Sequence, residues 1–200
     1  MEDKVSYFQD PLAFKHAFYL NQLFPNSKFL FMVRDGRATV HSIVKNFLKF
    51  SGMASEKYRE FLKFWNIDIS DMFEECVKLG PCKCLPVYYE QLVQHPEMWM
   101  KKITNFLDLP WDEAVLHHED FINKAGGISL SKLEKSSDQV VKPVNLDGLS
   151  KWVGDIPEDV VKDMKEIAPM LAFFGYDPEA SPPDYRRSED FVIELRKPIK

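Results

Sequence analysis

Apolar positions along this chain fall in blocks whose period switches between helical and extended. Phe14, Phe18 and Leu23 have helix-like spacing behind Asp10, a capping residue, and Pro11, a residue suited to the first helical position. Phe24-Pro25-Asn26-Ser27 ends that helix. Lys28-Phe29-Leu30-Phe31-Met32-Val33 follows as a short, nearly continuous apolar run, the pattern of a strand buried on both faces in a parallel sheet. Arg34-Asp35-Gly36-Arg37 reads as a turn, and a second helix is expected from Ala38 to about Phe50, broken by Ser51-Gly52.

A long helix comes next, with Tyr58, Phe61, Leu62, Trp65, Ile69, Met72, Phe73 and Cys76 on one face and Gly80-Pro81 as its stop. Leu85-Pro86-Val87-Tyr88-Tyr89 predicts a second short strand whose proline belongs at an edge or near the strand's start. Helical pattern covers Glu90 to Val93, Pro96 to Leu107 and Trp111 to Phe121, and returns from Leu146 to Val153 and Pro157 to Phe174. Pro157, Glu158 and Asp159 suit the start of the last helix and Gly175 its end. Between Asn123 and Asn145 no period holds, and a loop that long is usually functional or disordered. From Pro178 onward, Pro182, Pro183 and charged residues predict an extended, weakly packed tail. Strands alternating with helices indicate an α/β fold, a partial parallel sheet flanked by helices. Two strands alone do not make a stable parallel sheet, so either further strands lie in segments read otherwise, or the chain is part of a fold whose other strands are absent from it.

Composition narrows the function classes. With 45% hydrophobic and 14% aromatic residues among 200, the chain buries a real core as one domain or one lobe of a larger one. A net charge of −5 argues against a general nucleic-acid binder. No run approaches the ~20 apolar residues of a membrane-spanning helix, and Met1-Glu2-Asp3-Lys4-Val5 shows no signal-peptide pattern, so neither anchor nor leader is expected. The three cysteines, Cys76, Cys82 and Cys84, allow one local bridge with a spare thiol, or three free thiols.

The turn at Arg34 carries the strongest local chemistry. A strand delivers Arg34 to the sheet's carboxyl edge, where ligands of open α/β sheets sit. Gly36 permits a tight turn, and the following helix N-terminus favours phosphate. Arg34 adds a planar fork for two phosphate oxygens, and Ser42 a hydroxyl. The same residues fit a surface turn in which Arg34 pairs with Asp35 or a neighbour. Ser136, Lys142, Asn145 and Lys151 offer donors on a basic loop, either a lid over an anion or a solvated spacer. His117-His118-Glu119-Asp120 lacks the i, i+4 spacing of a metal pair, and the cysteines lack a fourth zinc ligand, so no metal is expected.

Longer blocks go beyond these local features. Phe24 to Leu30 running into Met32-Val33-Arg34-Asp35-Gly36-Arg37 and His41-Ser42 resembles the tyrosylprotein sulfotransferases. So do Cys84 to Leu92, Ala114 to Asp120, Ser129 to Lys132, Ser137 to Asn145, Leu149 to Trp152, Ile167 to Leu171 and Gly175 to Pro178. The resemblance is collinear from about Asp10 to Tyr185, which divides the chain into a sulfotransferase-like domain over 1–185 and a charged tail over 186–200. It implies a P-loop-like sulfotransferase fold and 3′-phosphoadenosine 5′-phosphosulfate as co-substrate, without metal. It further implies acidic, tyrosine-containing secretory proteins as acceptors, a homodimer and the Golgi lumen, and no nucleic-acid partner. By position it assigns Arg34 and Ser42 to the donor's 3′-phosphate. Tyr89, Ser136, Ser137, Asp138, Gln139, Val140, Val141, Lys142, Pro143, Val144, Asn145 and Lys151 would complete the nucleotide pocket. Ser136 would also steady the transferring sulfuryl group, and Cys76 and Cys84 match a family disulfide.

The departures from the family pattern set further expectations. Its 5′-phosphosulfate loop, catalytic glutamate base and membrane anchor lie upstream of the matched blocks. Gln9 stands where the family has a lysine before Asp10-Pro11, Tyr7 where it has a cysteine, and Asn46 where it has an arginine. Sulfuryl transfer needs a base and positive charge at the leaving phosphate, so these residues alone are not expected to turn over. They would then be the C-terminal part of an active enzyme, or a silent paralogue serving as a nucleotide-binding or dimerisation module. An unrelated nucleotide-binding α/β domain is disfavoured by the collinear blocks.

Overall fold

A computed structural model describes residues 6–10, 12–47, 54–122, 127, 144 and 146–186. Asp10 opens the first helical stretch, its Oδ1 accepting the amides of Leu12 at 2.9 Å and Ala13 at 3.3 Å. A 3-10 turn, Ala13–His16, leads into α1 (Ala17–Leu23). Strand β1 (Phe29–Val33) then enters the core and is followed by α2 (Gly36–Phe47) and the 26-residue α3 (Ala54–Leu79). Strand β2 (Cys84–Tyr88) returns parallel to β1, paired from Phe29 opposite Cys84 to Val33 opposite Tyr88. This crossover places α2 and α3 between the two paired strands in the chain.

Burial on β1 is one-sided. Phe31 and Val33 are buried, whereas Met32 on the opposite face is 47% exposed, which corrects the expectation of a strand covered on both faces. Phe31 packs against Phe14 and Phe174, with ring centroids 5.2 and 6.1 Å away. Pro86 lies inside β2 without breaking the pairing. Phe29 N–H donates to Lys83 O, so alternation along a parallel ladder turns Lys83, Leu85 and Val87 toward β1 and the proline nitrogen outward.

Helix α3 runs about 39 Å at 1.5 Å per residue and buries Tyr58, Leu62, Ile69 and Cys76 along one stripe. Gly80, at φ +76°, takes the left-handed conformation at its end. Just beyond, a Cys76–Cys84 disulfide joins α3 to β2, while Cys82 is a free thiol in the exposed turn between them.

Two short helices follow, α4 (Tyr89–Gln94) and α5 (Pro96–Phe106). The segment expected as one helix over Trp111 to Phe121 is two 3-10 turns, Glu113–Leu116 and His118–Asp120; Asp112 caps the first by accepting the Ala114 amide at 2.9 Å. Leu146–Leu149 is likewise a 3-10 turn. The last expected helix divides into α6 (Glu158–Lys162), α7 (Met164–Ile167) and α8 (Met170–Phe173), interrupted at Asp163 and before Pro169. Gly175 ends α8 at φ 74°, as its position indicated. Arg59 on α3 braces this end, reaching Asp159 at 3.2 Å and Asp163 at 2.7 Å. No helix among the described residues is long and apolar enough to cross a membrane.

Closing the short loop between α3 and β2 restricts the unfolded chain. Replacing Cys76 and Cys84 together by serine is expected to cost about 2–3 kcal/mol in chemical denaturation, and Cys82→Ser close to nothing.

Candidate functional site

The two strands deliver their next residues side by side. Because Val33 pairs with Tyr88, Arg34 and Tyr89 emerge together at the sheet's carboxyl edge. The Arg34 guanidinium lies over the Tyr89 ring, 4.5 Å from its centroid, and one N–H donates to Gly148 O at 3.2 Å. The Leu146–Leu149 turn lies close by: a Cβ on Gly148 would stand at ordinary contact distance, 3.5 Å from Tyr89 Oη and 3.7 Å from Arg34 Nη2. Arg34 Nε is buried with no hydrogen-bond partner among the described residues. Nor does any described carboxylate pair with Arg34, so the turn in which it simply neutralises Asp35 is not the one observed.

Asp35 belongs to Arg37 instead. The two form a buried, two-pronged ion pair, Oδ1 to Nε at 3.1 Å and Oδ2 to Nη2 at 2.9 Å. Asp35 also caps α2, its Oδ1 accepting the Arg37 amide at 2.9 Å. A protein carboxylate thus occupies the helix N-terminus expected to attract phosphate. Gly36 has another role than the expected tight turn. A Cβ there would lie 2.6 Å from the Trp65 indole, so glycine is required by close approach of that ring.

Arg37 Nη1 donates to the carbonyls of Asp177 at 2.9 Å and Ala180 at 3.1 Å, and the guanidinium lies 4.4 Å from the centroid of the Trp152 ring. Tyr185 Oη donates to Asp35 Oδ2 at 2.9 Å, and its carbonyl accepts Gln91 Nε2 at 2.6 Å. From Pro178 the chain turns at 178–179 and bends at 181–182 rather than running extended, and the burial of Pro178 and Tyr185 corrects the expectation of a weakly packed tail. Burial lifts the Glu90 carboxyl above the usual carboxylate range, opposed by bonds from the Asp35 amide and the Tyr176 hydroxyl. Burial likewise raises the Tyr176 and Tyr185 phenols. Asp35, Arg37, Glu90, Trp152, Tyr176 and Tyr185 escaped the sequence reading as a group. Their one visible signal is charge placed directly behind two apolar strands.

Of the other sequence candidates, Ser42 is partly buried in α2, about 9 Å along the axis from Gly36. Val144 is exposed, as is Lys151, whose Nζ lies 3.9 Å from Asp147 Oδ2. Ser136, Ser137, Asp138, Gln139, Val140, Val141, Lys142, Pro143 and Asn145 lie outside the described residues. Beside Ser42, buried His41 holds Nδ1 2.8 Å from Tyr58 Oη and Nε2 3.6 Å from Asp155 Oδ2.

Asp35→Asn leaves the buried Arg37 without its counter-charge and should cost about 3–5 kcal/mol in urea unfolding, against about 1 kcal/mol for Tyr185→Phe. Burial holds the His41 imidazole below its ordinary 6.5, with Asp155 opposing. The unfolded chain therefore takes up this proton first as pH falls, and stability should drop between about pH 7.5 and 5.5. His41→Asn should flatten that part of the profile, as thermal melts across the range would report.

Comparison with known proteins agrees with this architecture. A family model described as "Sulfotransferase family" matches residues 3–113. A Drosophila melanogaster "Protein-tyrosine sulfotransferase" is 56% identical over 192 residues, 96% of this chain and 38% of the fly protein. "Protein-tyrosine sulfotransferase A" of Caenorhabditis elegans is 55% identical over 191 residues, covering 96% and 50% respectively. "Protein-tyrosine sulfotransferase 1" of Homo sapiens is 54% identical over 186 residues, 93% and 50%. The chain spans about half the length of the curated relatives it matches. With a P-loop-like α/β fold, it belongs to the sulfotransferase family, and in sequence it stands among the protein-tyrosine sulfotransferases.

Proposed function

We propose that this chain carries the 3′-phosphate side of the donor pocket in a protein-tyrosine sulfotransferase, which moves a sulfuryl group from 3′-phosphoadenosine 5′-phosphosulfate to tyrosine hydroxyls. One observation carries the reading: Arg34 stands at the carboxyl edge of the sheet, stacked on Tyr89, with a buried Nε that no described residue satisfies. A buried, unpartnered N–H is costly, and a phosphate oxygen would satisfy it while the planar fork takes a second oxygen. The residues present therefore fit the donor.

In this reading Arg34 and Ser42 hold the 3′-phosphate. Tyr89, residues 136–145 and Lys151 complete the pocket, and Ser136 steadies the sulfuryl group. The phenol oxygen attacks sulfur, the bond from sulfur to the 5′-phosphate oxygen breaks, the phenol proton passes to a base, and charge gathers on the leaving phosphate. Arg34 grips the far phosphate, which changes little as that bond breaks. Its contribution is thus binding and orientation rather than stabilisation confined to the transition state. Acidic, tyrosine-containing secretory proteins as acceptors, a homodimer and the Golgi lumen complete the reading. The Cys76–Cys84 bridge supports the compartment, because disulfides persist in oxidising lumens.

Arg34→Ala should weaken adenosine 3′,5′-bisphosphate by about 1.5–3 kcal/mol in titration calorimetry, and raise donor KM more than it lowers kcat. Unchanged affinity would return Arg34 to a structural role.

A further inference from the structure

Arg34 and Tyr89 are each followed by a residue that ties the two strand ends together. Glu90, directly after Tyr89, is 3% exposed. Its Oε1 accepts the backbone N–H of Asp35, directly after Arg34, at 2.8 Å. Oε2 accepts the Tyr176 hydroxyl at 2.8 Å. Asp35 is the cap of α2, and a cap's own amide is commonly satisfied by a glutamate three residues into the same helix. Ala38 stands at that position. The carboxylate comes instead from the start of α4, directly after the neighbouring strand.

This arrangement is expensive. Glu90 has no cationic partner among the described residues, and Asp35 places a second buried carboxylate nearby. An apolar side chain would avoid that cost but leave the Asp35 amide buried and unbonded. The gain lies in geometry: one rigid carboxylate sets the separation between the β1–α2 turn and α4.

We infer that Glu90 is a positioning residue of the donor pocket, its carboxylate joining the Asp35 amide to the start of α4 so that the Arg34 guanidinium stays over the Tyr89 ring. The inference rests on the reading of Arg34 and Tyr89 as pocket residues. Tyr176 completes the tie by holding the second carboxylate oxygen.

The test uses the full-length polypeptide, adenosine 3′,5′-bisphosphate as probe in calorimetry, and the Arg34 Nε–H resonance in side-chain NMR spectra. Glu90→Leu fills the space but removes the acceptor; it should weaken the probe roughly tenfold and shift the Arg34 resonance. Glu90→Gln keeps an oxygen for the Asp35 amide and should restore affinity to within roughly threefold, together with the resonance. A folded Glu90→Leu with wild-type affinity and an unmoved resonance would overturn the inference. If Glu90→Leu does not fold, Tyr176→Phe carries the test: affinity should fall roughly threefold, and wild-type affinity there overturns it. Wild-type affinity in Arg34→Ala would overturn pocket and inference together, whereas wild-type affinity in Glu90→Leu, or in Tyr176→Phe, overturns only the inference.

Discussion

Everything around the sheet's carboxyl edge depends on one buried pair of opposite charges, Asp35 and Arg37. Neither side chain retains appreciable contact with water, so each needs a full set of partners within the protein. Asp35 obtains them from Arg37, the Arg37 amide and Tyr185; Arg37 obtains them from Asp35 and the carbonyls of the C-terminal segment. Those demands reach across the sequence from residue 35 to residue 185 and fold the tail over the junction. They also sort the two arginines of the turn. With the only intervening acid committed to Arg37, no described carboxylate pairs with Arg34.

Register does the rest. Parallel pairing sets the two strand ends level, so a cation from one and an aromatic ring from the other meet without any loop having to bring them there. Arg34 and Tyr89 each follow the last paired residue of their strand, so the ladder fixes the point at which both leave the sheet.

Much of this was legible in the chain. The apolar runs at Phe29 to Val33 and Leu85 to Tyr88 announced both strands, and the long stripe from Tyr58 to Cys76 announced α3. Arg34 stood out because a charge immediately behind an apolar run has to leave the sheet at its edge. Local pattern could not show which arginine Asp35 would meet, since it is adjacent to Arg34 in sequence and bound to Arg37 in space. It also could not show that a segment rich in proline would be packed, because the carboxylates that Tyr176 and Tyr185 bond, those of Glu90 and Asp35, lie 86 and 150 residues away. Trp111 to Phe121 misled for a local reason: His117, at φ −126° and ψ 45°, leaves helical backbone and divides the segment into two 3-10 turns.

The contact between Gly36 and the Trp65 indole bears on how this protein can vary over time. The ring fills the space that any side chain at position 36 would need, so a lone enlargement there meets steric conflict, and a lone reduction of the ring opens a void against bare backbone. Lineages are therefore expected to keep both residues or exchange them jointly, making the pair a covarying unit that links the first turn of one helix to the middle of another.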